Sequence, residues 1–260
     1  MAGEAGRAMM RLQVIYNEHE PRFRAQEAGR AAEGRPVRCA SGCDDCCYLL
    51  VTCTIPEALA MVHRMRLDGT IKEFIRARPW ERDEEDLHRD GMTNLEWMRM
   101  RRPCLHLDTA TRTCRVYDAR PAVCRQYAVV TDPALCAIPN SDIATPDRRQ
   151  EREEVFVASM AIAADLKLPV AMLPLPVAMK WACIVYLDGA GALAAALRRT
   201  AFASGLAATF YWASLDTPDG RTFEYDGDGW RCRVCGDVTP DDGGPPRCAS
   251  CGMPHRTGAP

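Results

Sequence analysis

A chain of 260 residues can bury a sizeable core and form one or two domains. Its formal charge of −2 carries no polyanion-binding signature, which argues against general nucleic-acid affinity. Hydrophobic content of 47% and charged content of 26% are ordinary for a soluble globular protein, so the 14 cysteines are the outlier. Oxidised secreted scaffolds are usually short and follow a signal peptide, whereas residues 1–7 have no apolar signal core. The expected setting is therefore metal in a reducing cytoplasm. The most apolar stretch, residues 155–187, is broken by Asp165, Lys167 and Lys180 and by Pro169, Pro174 and Pro176. It falls short of the roughly 18 uninterrupted apolar residues of a membrane span, so buried helices are expected and no membrane partner.

Residues 1–33 are charged and mostly good helix formers, with an apolar surface from Met9, Met10, Leu12, Val14 and Ile15. Pro21 interrupts, which predicts a docking helix followed by a second short one. A partner-binding arm is the functional alternative for residues 1–35.

Cys39, Cys43, Cys46 and Cys47 follow in Cys-Ala-Ser-Gly-Cys-Asp-Asp-Cys-Cys. No ordinary core needs that density of thiols. Thiolates bind zinc, Cu(I) and iron–sulfur clusters, and the gaps let the chain fold back so that several sulfurs converge. The adjacent Cys46 and Cys47 do not serve one ion with equal ease. One of them faces a second metal or is a reactive or structural thiol.

Residues 48–53 are β-prone. Thr54-Ile55-Pro56-Glu57 then reads as a helix start, with Thr54 as cap, Pro56 in the first turn and Glu57 completing a capping box. Cys53 reads as a buried structural thiol rather than a ligand. Residues 68–102 are dense in mixed charge and predict solvated helical faces, packed onto the cluster domain through Trp80 and Trp97. Met92, Met98 and Met100 read as core.

A second cysteine set is Cys104, Cys114 and Cys124, in Pro103-Cys104, Cys114-Arg-Val-Tyr117 and Arg120-Pro121-Ala-Val-Cys124-Arg125. The two sets together resemble the YkgJ-type cysteine-cluster family over roughly residues 36–130. That resemblance implies zinc or iron chelation and fixes no single reaction. A similar cluster occurs in flagellin lysine N-methylases, which look alike only over these motifs. The long gaps between Cys104, Cys114 and Cys124 fit separate loops closing over a site founded on residues 39–47. Residues 108–113 predict a polar turn between two short strands. Arg120-Pro121 starts a short helix or turn leading to Cys124. Arg120 and Arg125 are read as offsetting thiolate charge. His106 is a candidate nitrogen ligand but reads rather as a core or solvent-facing histidine. Cys136 is a weak candidate.

Residues 141–150 look like a boundary, with Thr145-Pro146-Asp147 capping the helix that follows. Val155, Val157, Met160 and Ala164 suit one amphipathic helix, and residues 192–210 another. Cys183 reads as core. In the C-terminal part, Cys232-Arg-Val-Cys235-Gly and Cys248-Ala-Ser-Cys251-Gly are two knuckles suited to a tetrahedral four-cysteine site. This part resembles zinc ribbons and rubredoxin-type knuckles. Zinc is favoured there, His255 is unnecessary as a ligand, and residues 221–225 predict a strand.

The expected fold class is α+β: a loop-rich cysteine-cluster domain with helices (36–140), an Ala-rich helical segment (141–215) and a small C-terminal β zinc ribbon (216–260). Three functions follow. The first is a cytoplasmic metal-binding protein with zinc or iron in the first cluster and a separate structural zinc. The second is an iron–sulfur or non-haem iron enzyme in redox or group-transfer modification, though no nucleotide or S-adenosylmethionine fingerprint is present. The third is a metal-stapled module that docks a protein partner through the ribbon or the helical segment.

Overall fold

The computed structural model describes residues 3–197, apart from 41, 90–91, 139–140 and 169–170, and the strand segments 223–225, 229–232 and 238–240. The N-terminal residues form one helix, α1 (Glu4–Ala32), and not the expected two. Pro21 sits inside it on the exposed side. Ala5, Ala8, Leu12, Tyr16, His19 and Phe23 make a continuous buried stripe at helical spacing on both sides of the proline. Packing of that stripe outweighs the one hydrogen bond that proline removes. Met10 and Val14 lie off the stripe and are exposed.

The β-prone run yields a three-residue strand, β1 (Thr52–Thr54), leading directly into α2 (Ile55–Leu67). The predicted capping box is present. Glu57 N donates to Thr54 Oγ1, and Thr54 N donates to Glu57 Oε2 at 2.8 Å. Residues 55–62 are all buried, so α2 is a central helix and not a surface one.

Three short helices follow: α3 (Ile71–Ala77), α4 (Glu81–Leu87) and α5 (Asn94–Met100). Their charged faces are solvated, while Trp80, Leu87, Met92 and Trp97 join the core. A tight hairpin, β2 (Leu107–Asp108) and β3 (Thr113–Cys114), pairs antiparallel with Leu107 opposite Cys114. Asp108 Oδ1 accepts from Ala110 N, which closes the predicted polar turn. Pro121 then caps α6 (Ala122–Gln126).

Helix α7 (Arg149–Asp165) begins after the expected Thr145-Pro146-Asp147 start, with Arg148 as its N-cap residue. The buried Arg148 donates to Gln126 O at 3.1 Å and Glu27 Oε1 at 2.7 Å, and lies over the Phe23 ring. Those partners anchor the residue that precedes the first turn of α7. The inward face of α7 is Val155, Ser159, Ile162 and Ala163, a four-then-three spacing, and the expected Val157 is exposed. Strand β4 (Met172–Pro174) leads into α8 (Leu175–Asp188), followed by α9 (Ala190–Leu197). The rest of the expected 192–210 helix lies outside the described residues. Among the described residues, no helix is long and apolar enough to cross a membrane.

Within the core, the strand–helix pairs β1–α2 and β4–α8 repeat one another. Strands β1 and β4 pair antiparallel about Cys53 and Leu173, with Thr52 opposite Pro174 and Thr54 opposite Met172. Ile55-Pro56 opens α2, and Leu67-Asp68-Gly69 closes it. Leu175-Pro176 opens α8, and Leu187-Asp188-Gly189 closes it at the same spacing. Both glycines have positive φ, 76° and 83°, and Gly189, with ψ 171°, lies in an extended positive-φ conformation that is essentially glycine's alone. Each unit is a strand and a helix, β1–α2 and β4–α8, preceded by α1 and α7 respectively, but α1 packs along the helix of its own unit and α7 does not. They differ in the link before the strand. Residues 166–171 suffice in the second unit, whereas residues 33–51 fill that place in the first and carry the four-cysteine knuckle.

In the C-terminal part, β5 (Phe223–Tyr225), β6 (Gly229–Cys232) and β7 (Val238–Pro240) form an antiparallel three-stranded sheet, with the strand expected at 221–225 among them. Cys235, Cys248, Cys251 and His255 lie outside the described residues.

Candidate metal centre

Gly42, with φ 84°, turns the chain between Cys39 and Cys43. A short 3-10 helix, Asp45–Tyr48, then carries Cys46 and Cys47. The segment after α5 fastens this knuckle at several points. Cys104 N donates to Cys47 O at 2.7 Å. Arg112, at the hairpin turn with φ 55°, donates through Nε and Nη2 to Oδ1 of the buried Asp44 at 2.9 and 2.5 Å. Arg101 pairs with Asp45 at 3.3 Å and lies 4.2 Å over the Tyr48 ring. Another 3-10 helix, Pro133–Ala137, packs against that one and brings Cys136 to the same place.

These contacts enclose a cavity of about 490 Å³. All seven thiols of the two predicted sets line it: Cys39, Cys43, Cys46 and Cys47 from the knuckle, and Cys104, Cys114 and Cys124 from the return segment. Cys136 is an eighth, promoted from a weak candidate by the fold. His106 lines the cavity as well. Cys53 and Cys183 are buried elsewhere, as expected for core thiols. The cysteines from 39 to 183 are free thiols. Among the described residues, no carboxylate side chain lines the cavity wall.

The chemistry of the wall is that of protonated thiols. Burial pushes Cys104 up to about 12 and raises Cys39, Cys114, Cys124 and Cys136. Cys46 is raised first by a hydrogen bond with the Cys47 thiol and then by burial. Each of these shifts reports a group that is expensive to ionise without a nearby cation. The Arg120 guanidinium opposes the rise at Cys46, Cys114 and Cys124. Arg125 does not share that role. It lies 4.3 Å over the Tyr16 ring and donates to the carbonyls of Arg120 and Asp118. Cys46 acts on thiols of both groups, on Cys39 and Cys136 as well as on Cys104, Cys114 and Cys124.

A soft or borderline cation suits this donor set, since thiols and an imidazole are the ligands such ions prefer. Among the described residues, no three Cys, His, Asp or Glu side chains close on a single point. The donors stand along the wall of one cavity.

The arrangement defines a class: a helical core with an inserted thiol-lined cavity suited to metal chelation. The comparisons agree with that class. Residues 38–149 match the model of the family CxxCxxCC, described as "Putative zinc- or iron-chelating domain". Neither a curated protein nor a solved structure matches the chain.

Two contributors were not visible in the sequence. Arg112 read only as part of a polar turn, because its partner Asp44 is distant in the chain. Tyr127, which hydrogen-bonds the Cys136 thiol and lines the cavity, gave no signal beyond its place after Cys124.

Proposed function

We propose that the chain chelates zinc or iron in the cavity between residues 39–47 and 104–136, with Cys39, Cys43, Cys46, Cys47, Cys104, Cys114 and Cys124 as the principal donors. The observation that carries this reading is the gathering of eight thiols around one cavity that, among the described residues, has no carboxylate on its wall. Thiolate-rich, carboxylate-free surroundings select soft and borderline metals over calcium or magnesium. The bound cation supplies the charge that lets buried thiols ionise, and Arg120 lessens the residual negative charge on Cys46, Cys114 and Cys124. The C-terminal cysteines Cys232, Cys235, Cys248 and Cys251 hold a separate structural zinc.

A second reading draws on size. A cavity of about 490 Å³ is far larger than the share of one water molecule, about 30 Å³. It has room for an iron–sulfur cluster or a metal with a small substrate, which is the enzymatic alternative.

Anaerobic purification with metal analysis and a visible spectrum on the same sample separates these readings. Two or more zinc ions per chain without colour supports chelation in the cavity plus the ribbon. Iron with acid-labile sulfide and brown colour favours the cluster. Cys46→Ser and Cys124→Ser variants that keep the full metal content would overturn the assignment to the cavity.

A further inference from the structure

The thiols around the cavity differ in how far they reach solvent. Of the residues that line it, Cys39, Ala40, Arg112, Thr113 and Tyr117 are exposed, and they mark its rim. Among the described residues, Cys39 is the only thiol in that rim. Cys43, Cys46, Cys47, Cys104, Cys114 and Cys124 are half-buried, and Cys136 is buried. The rim thiol is held in place. Arg38 N donates to Val129 O at 2.8 Å, and the Val129 N–H donates to the Cys39 sulfur. A metal entering from solvent therefore meets Cys39 first. The charge at the rim is positive. Arg112 is paired with Asp44, but the Arg120 guanidinium lies 3.7 Å over the exposed Tyr117 ring, where its Nε donates to Tyr117 O at 3.2 Å. A cation at the entrance disfavours a bare hydrated dication and favours an anion. Metal complexes with several small thiolates are anions.

We propose that Cys39 is the entry thiol of the cavity: it takes zinc or iron from an anionic complex with a small thiol and passes it to the thiols inside. The inference rests on the chelating role given above and gives it a route. In the exchange, the Cys39 sulfur bonds the metal as a carrier sulfur leaves it. The Cys39 proton goes to the departing thiolate, and the oxidation state of the metal does not change. Access decides which thiol can make that attack, and the half-buried thiols then hold what Cys39 delivers.

The test follows zinc uptake by the full metal-free chain in a Cys232→Ser background, so that the C-terminal cysteines do not report. The unaltered cavity, Cys39→Ser and Cys124→Ser are each mixed with zinc as its glutathione complex or as the hydrated ion. Bound zinc is read by timed desalting and metal analysis. If Cys39 is the entry thiol, Cys39→Ser slows uptake from the glutathione complex about tenfold or more, within the range by which single changes move association rates. It still reaches the full zinc content, because seven cavity thiols remain, and it takes up the hydrated ion at the unaltered rate. Unchanged uptake from the glutathione complex overturns the inference. Equal slowing with both forms of zinc overturns it too, as does a final content as low as that of Cys124→Ser, since either makes Cys39 an ordinary holding ligand. Those three outcomes leave the chelating role standing. Full zinc content in Cys124→Ser, by contrast, removes the chelating role and the entry role with it.

Discussion

Glu57 ties three helices with one carboxylate. Its Oε2 accepts from Thr54 N and Thr54 Oγ1, while Oε1 accepts from Tyr16 Oη at 3.0 Å and Ala122 N at 2.7 Å. Tyr16 belongs to α1 and Ala122 opens α6, the helix that carries Cys124. The group is buried, so its loss strands several donors away from water. Leaving one buried donor unpaired costs about 1–3 kcal/mol. Glu57→Ala should therefore lower stability by about 3 kcal/mol or more in urea titration, with Glu57→Gln intermediate. An Ala variant within about 0.5 kcal/mol of wild type would mean the network contributes little. The capping half of this network was legible, because Thr54 and Glu57 are three residues apart. The contacts to Tyr16 and Ala122 were not, since nothing local announces a partner so distant in sequence. At Cys183, burial raises the thiol from 9.0 to about 12. The unfolded chain ionises it near the ordinary value and the folded chain does not. Its stabilising contribution is therefore complete below pH 9 and is lost as pH rises towards 12. Replacing Cys183 with Ala should flatten the fall of thermal stability across that window. A variant whose stability falls as steeply as wild type would show that the thiol does not contribute to it.

At the scale of elements, packing explains why a proline survives inside α1. The helix packs on α2, α7 and α8, and its buried stripe continues past the proline. Proline in a helix interior costs about 3 kcal/mol relative to alanine. Because Pro21 is exposed and makes no core contact, Pro21→Ala should raise the melting temperature; an unchanged or lowered value would show that α1 needs the proline. The two positive-φ helix ends offer a paired experiment. Gly69→Ala should destabilise by about 1 kcal/mol and Gly189→Ala by about 2–3 kcal/mol, since a Cβ meets open space at both and only the backbone conformation is penalised. Equal losses would show that the extended positive-φ backbone at Gly189 relaxes in the variant. The sequence held the repeat in plain form, as Ile/Leu-Pro at one end and Leu-Asp-Gly at the other. The cysteine spacing draws attention away from it. Helix faces were harder to read. In α7 the polar Ser159 lies on the buried side, where its hydroxyl meets Thr54 Oγ1 at 2.5 Å, while Val157 faces solvent, so hydrophobicity alone selects the wrong stripe.

At the scale of the molecule, the cavity is built from segments added to a core that has its own packing. Leu12, Leu59, Met61, Ile162, Leu173 and Trp181 are fully buried, and the cysteines of the knuckle contribute none of that apolar mass. The candidate thiols could be found from spacing, because chelation demands a donor pattern that the chain displays directly. The cavity itself could not, because it depends on long-range ties such as Arg112 to Asp44 and Cys104 N to Cys47 O. In small zinc modules, by contrast, the metal replaces a missing core and its removal unfolds the chain. Here removal should act locally. A thiol-competing chelator should leave far-UV circular dichroism nearly unchanged while hydrogen exchange speeds up at residues 39–47 and 104–136. Exchange in α2 and α8 should stay slow. Metal uptake should also strengthen as pH rises, because burial holds Cys104 and Cys124 protonated and each ion must displace those protons. Cooperative loss of all helical signal on chelation would place the metal inside the folding core and remove the distinction between insertion and scaffold. Affinity that is flat with pH would mean the raised thiols are not among the ligands.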